Sequence, residues 1–107
     1  MEFIETPLFV ESIKKILDDE DVRALQNFLI QNPEAGDVVP GMAGLRKIRH
    51  AAKGHGKRGG ARVIYLFIDV RNVIFLVFAY AKNTKLDLTT PEKKAFAQMV
   101  KELKRLP

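Results

Sequence analysis

Seven cations stand between Asp37 and Asp69 with no acid among them: Arg46, Lys47, Arg49, Lys53, Lys57, Arg58 and Arg62. Further on, Tyr80 and Lys82 add a phenol and another ammonium. Groups clustered in this way bind phosphate. A guanidinium holds two phosphate oxygens by parallel hydrogen bonds, and each neutralised phosphate releases counterions. Held rigidly, the same groups also serve RNA cleavage. A 2′-hydroxyl attacks the adjacent phosphorus in line and the 5′-oxygen leaves, while fixed Arg and Lys stabilise the charge on the phosphoryl oxygens. A proton acceptor and a proton donor are needed as well. A lysine crowded by other cations has its pKa lowered toward neutrality, because like charges disfavour its charged form. A tyrosine can carry a proton or stack on a base.

Other chemistries are poorly supplied. The 107 residues contain no cysteine, which excludes disulfides, thiolate catalysis and thiolate metal sites. Two histidines, His50 and His55, do not make a metal cage. No metal and no cofactor is expected. The net charge of +5 is unevenly spread: residues 1–37 carry −6 and residues 38–107 carry +11. One-signed clustering of this kind suits a polyanionic partner. Glu2 and Glu5 argue against a signal peptide, and the longest apolar run, residues 73–81, is too short to span a bilayer. The expectation is a cytoplasmic protein that does not engage a membrane.

The elements that must position these residues are legible in part. Residues 2–5 read as a short strand. Thr6-Pro7 reads as a helix cap followed by proline, and Leu8, Phe9, Ile13, Ile16 and Leu17 follow at helical spacing. The acids Asp18 to Asp21 break that helix and suit the positive end of a second one, which Asn32-Pro33 stops. Residues 34–43 read as a connection. Residues 45–51 alternate apolar and basic side chains like a half-solvated strand, so Lys47 and Arg49 share a face. Residues 53–60 have no apolar side chain and four glycines, hence a cationic loop. Two apolar runs, residues 63–69 and 73–81, flank Arg71-Asn72 and read as an antiparallel hairpin. The second is so continuously apolar that both its faces should be covered. Thr90-Pro91-Glu92 repeats the cap-then-proline signal before a last helix carrying Phe96, Met99, Val100 and Leu103. The predicted order is β-α-α-β-β-β-α, an α+β domain spanning residues 1–107 around a small antiparallel sheet.

The segments Gly44-Leu45-Arg46-Lys47-Ile48-Arg49, Lys53-Gly54-His55-Gly56-Lys57-Arg58-Gly59-Gly60, Arg62-Val63-Ile64-Tyr65 and Tyr80-Ala81-Lys82-Asn83 together resemble the RelE/HigB toxins of bacterial toxin–antitoxin pairs, most closely the HigB-type branch. The resemblance implies a microbial-ribonuclease-like fold with helices packed on one face of an antiparallel sheet. It implies a ribosome-dependent endonuclease that cuts mRNA in the A site, and a cognate antitoxin, often a helix-turn-helix protein. It places the family's basic residues on Lys47, Arg49, Arg62 and Lys82. Many relatives carry arginine where this chain has Asn83, and a tyrosine near the C-terminus where this chain has no aromatic after Phe96.

The combined reading assigns catalysis to Arg62, Lys82, Tyr80 and Lys57, and RNA contacts to Arg46, Lys47, Arg49, Lys53, His55 and Arg58. For Tyr80, proton transfer and core packing both stay open. Tyr65 falls in step with Val63 and Phe67 and reads as core, while His50 alternates with Ile48 and reads as structural. Two other functions compete: a ParE-like inhibitor of DNA gyrase, which shares the scaffold but lacks the basic site, and a non-catalytic RNA-binding regulator. The acid-free basic window weighs against the first.

Overall fold

In the computed structural model, which describes residues 1–51, 60–81 and 88–106, the elements are β1 (Glu2–Glu5), α1 (Pro7–Ser12), α2 (Asp19–Gln31), β2 (Asp37–Val38), β3 (Arg46–His50), β4 (Ala61–Ile68), β5 (Val73–Ala81) and α3 (Thr90–Arg105). They form one five-stranded sheet in the order β1-β5-β4-β3-β2. The α+β class and the mostly antiparallel sheet agree with the sequence reading. Two details differ. The connection after α2 contains the two-residue edge strand β2, and β1 joins β5 in parallel. Short edge pairings depend on tertiary neighbours more than on local pattern, so neither has a local signature.

Each helix start follows from its capping chemistry. Thr6 accepts from the Phe9 amide at 3.1 Å and donates to the carbonyls of Leu76 and Val77, tying α1 to the middle of β5. At α2, Asp18 and Asp21 cap one another reciprocally, side chain to backbone amide. At α3 the cap is Thr89, one residue earlier than predicted, because Glu92 reaches back to the Thr89 amide at 2.8 Å. Between β4 and β5 a 3-10 turn, Asp69–Arg71, ends in Asn72 at a φ of 53°, a conformation asparagine tolerates.

The helices lie on both faces of the sheet, which corrects the expectation of helices on one face. Phe9, Leu17, Val22, Leu25 and Leu29 of the α1–α2 segment pack with Val63, Tyr65, Ile74 and Leu76. Phe96, Val100 and Leu103 of α3 pack with Ile64, Leu66, Phe75 and Val77. Alternating strand residues therefore enter opposite cores, which is why β5 is apolar almost throughout.

A bulge in β5 decides which way its end faces. Ile64 pairs with Phe78, but Tyr65 pairs with Leu76, so Val77 is the extra residue. Val77 and Phe78 both belong to the α3 side, and from Phe78 onward the alternation is reversed. Thr6 and Ser12 serve the irregular backbone: Thr6 donates to the Val77 carbonyl at 3.0 Å, and the Ala79 amide donates to the Ser12 hydroxyl at 3.0 Å. The bulge is what puts Tyr80 on the same side of the sheet as Arg62.

Candidate nucleic-acid interface and cleavage site

Strand register brings three of the predicted residues into one row. Arg49 of β3 lies directly opposite Arg62 of β4, and Arg62 lies directly opposite Tyr80 of β5. All three fall on the α3 side of the sheet, because Arg62 alternates with Ile64 and Tyr80 belongs to that core. Lys47 joins them on this side, opposite Ile64 and one two-residue step along β3 from Arg49, roughly 6.6 Å. Arg49 is exposed, and Arg62 and Lys47 are half-buried.

Two guanidinium groups facing each other across a strand pair repel, at a cost of about 0.2–1 kcal/mol. Each carries five donors in a planar fork. Cross-strand placement puts both forks on one side of the sheet, the arrangement that two-point recognition of an oxyanion requires.

Tyr80 is 4% exposed, with its ring 5.9 Å from that of Phe78 and stacked on it, and Phe78 in turn lies 5.5 Å from Phe96 of α3. Of the two readings left open, this is core packing beneath the arginine row. Its hydroxyl is buried, so Tyr80 lies beneath the row and not at the surface.

Arg46 is not brought to this site. It pairs with Tyr65 on the α1–α2 side, where its guanidinium donates to the carbonyls of Glu34 (3.1 Å) and Gly36 (2.8 Å) and meets the Glu34 carboxylate at 3.4 Å. Tyr65 completes the clasp: its hydroxyl donates to the Pro33 carbonyl and accepts from the Gly36 amide, each at 2.9 Å. Burial raises the Tyr65 phenol above its ordinary value of 10.0, while the Gly36 amide and Arg46 pull it back. A Cβ at Gly36 would strike the Tyr65 ring, so only glycine fits. Together these residues fix the α2-to-β2 connection. His50, as the sequence suggested, is structural, its Nε2 lying 2.9 Å from the Asp21 carbonyl. Lys53, His55, Lys57, Arg58 and Lys82 lie outside the described residues.

One residue near the site has no sequence signal. Lys93 of α3 lines a polar cleft of about 220 Å³ together with Lys47 and Asp37. Only the way α3 crosses the sheet brings it there. Among the described residues, no helix is long and apolar enough to cross a membrane.

Fold and site define a small α+β protein with a cationic row on one end of its sheet. Similar folds include the isolated E. coli RelE toxin (18% identity, 95% of this chain and 97% of that one, TM-score 0.52) and a double arginine-to-alanine mutant of E. coli RelE in the free state (19%, 92% and 95%, TM-score 0.57). The intact E. coli RelBE toxin–antitoxin complex also matches (20%, 75% and 94%, TM-score 0.55). Residues 11–107 match the family described as the RelE toxin of the RelE/RelB toxin–antitoxin system. The chain belongs to that family.

Proposed function

We propose that this toxin is a ribosome-dependent endoribonuclease that cuts translated mRNA in the A site and so inhibits translation. The observation that carries the reading is Arg49 opposite Arg62 with Lys47 one step away, all on one side of the sheet. Arg62 and Arg49 hold the phosphoryl oxygens of the scissile phosphate and stabilise the charge that develops there. The RNA 2′-oxygen bonds to phosphorus and the phosphorus–5′-oxygen bond breaks, leaving a 2′,3′-cyclic phosphate and a 5′-hydroxyl. The proton lost by the 2′-hydroxyl goes to a base and the 5′-oxygen takes one from an acid. Lys57 and Lys82 are the side chains proposed for these transfers, with Lys53, His55 and Arg58 contacting the flanking RNA. The reaction needs no metal and no cofactor. Tyr80 packs beneath Arg62 and holds it in place. Residues 1–107 act as one toxin domain, neutralised by a cognate antitoxin, for which a helix-turn-helix protein is the family's frequent choice.

The test is expression of the wild type beside Arg62→Ala and Lys82→Ala, with growth and message length followed together. Arrest with shortened messages for the wild type, and relief of both in the variants, supports the assignment. Full toxicity of both variants overturns it.

A further inference from the structure

The cleft lined by Asp37, Lys47 and Lys93 lies at the other end of the cationic row from β4, where the edge of the sheet meets the first turns of α3. Resting on the endonuclease reading above, we propose that this cleft binds one backbone phosphate of the RNA beside the scissile one, and that Lys93 is a substrate-binding residue. Three observations carry the inference. First, Lys47 links the two places: it lines the cleft and also stands two residues from Arg49 on the same face. Its spacing from Arg49, about 6.6 Å, is close to the step between neighbouring phosphates of an extended nucleic-acid strand.

Second, Lys93 stands against its own helix. It is the fourth residue of α3, in the turn where the macrodipole favours anions, and the same turn supplies Glu92 to the cap. An external anion in the cleft reverses that penalty. Third, the described lining has the sign that a phosphate needs. Asp37 is the register partner of Lys47, and among the described lining residues two ammoniums stand against one carboxylate, a net positive lining of the sign a phosphodiester needs. Val38, Val39 and Pro40 complete the described lining of the cleft.

The experiment is single-turnover cleavage of a short message on programmed ribosomes, with toxin concentration varied. Lys93→Gln is expected to raise the half-saturating toxin concentration about tenfold, the loss of one charge-assisted phosphate contact, and to leave the rate at saturation unchanged. Lys93→Arg should restore wild-type behaviour. Asp37→Asn should shift half-saturation in the opposite direction, which a loss of folding does not do. If Lys93→Gln matches the wild type while Arg62→Ala loses the saturated rate, the cleft proposal is overturned and the endonuclease reading stands. If the wild type cleaves nothing on programmed ribosomes, both fall.

Discussion

Arg49 and Arg62 are direct cross-strand partners on the face covered by α3. Like charges directly opposite on neighbouring strands work against sheet stability, while two guanidinium forks on one face suit the phosphate binding proposed above. Stability and activity should therefore separate at these positions.

Arg49→Gln is predicted to leave the protein as stable as the wild type or to stabilise it by a few tenths of a kcal/mol, because it removes the repulsion from an exposed position. Toxicity should nevertheless fall sharply. Thermal melting and growth after induction, measured on the same variant, check both halves.

Gly60→Ala should be strongly destabilising. Gly60 has a φ of +58°, and a Cβ there would overlap the carbonyl oxygen of His50 and crowd the Ala51 backbone. Left-handed strain and backbone overlap together should cost at least about 2–3 kcal/mol. Soluble yield and urea unfolding, compared with an alanine at the unobstructed Gly41, separate the overlap from positive φ alone.

Tyr65→Phe should destabilise by about 1–3 kcal/mol near neutral pH, since it leaves the Gly36 amide and the Pro33 carbonyl without the phenol. It should also change the response to alkali. The folded Tyr65 pKa lies above the unfolded one, so its contribution is complete below about pH 10 and is lost as pH rises through the folded value. Urea midpoints between pH 8 and 11.5 should fall more steeply for the wild type than for Tyr65→Phe.

Arg71 ties the 3-10 turn to the end of α3, donating to the Leu106 carbonyl at 2.7 Å and to the Lys104 carbonyl at 2.9 Å. Arg71→Ala should fray the last turn of α3 with a global cost of about 1 kcal/mol or less. Faster amide exchange confined to that turn is the expected signature.

The parts legible from sequence were those with a local cause. β1 and β5 have the predicted bounds, a Thr cap with proline marks the starts of α1 and α3, and an Asp cap marks the start of α2. Strand alternation separated Lys47 and Arg49 from Ile48 correctly. The same alternation held for Arg46, whose place on the opposite side follows directly from being one residue before Lys47; charge counting alone grouped it with the others. What the sequence lacked was anything requiring tertiary register. The bulge at Val77, the burial of Tyr80 and the approach of Lys93 to Lys47 arise from how β5 and α3 meet the rest of the sheet. An apolar run as uniform as residues 73–81 carries no mark of where its alternation reverses.

The most direct measurement is 5′-end mapping of transcripts after a brief pulse of expression. New ends inside translated reading frames, present with the wild type and missing with Arg62→Ala, are the predicted result. Growth arrest with intact messages would contradict the account, and loss of gyrase-catalysed supercoiling in the same cells would point to the gyrase-inhibiting alternative.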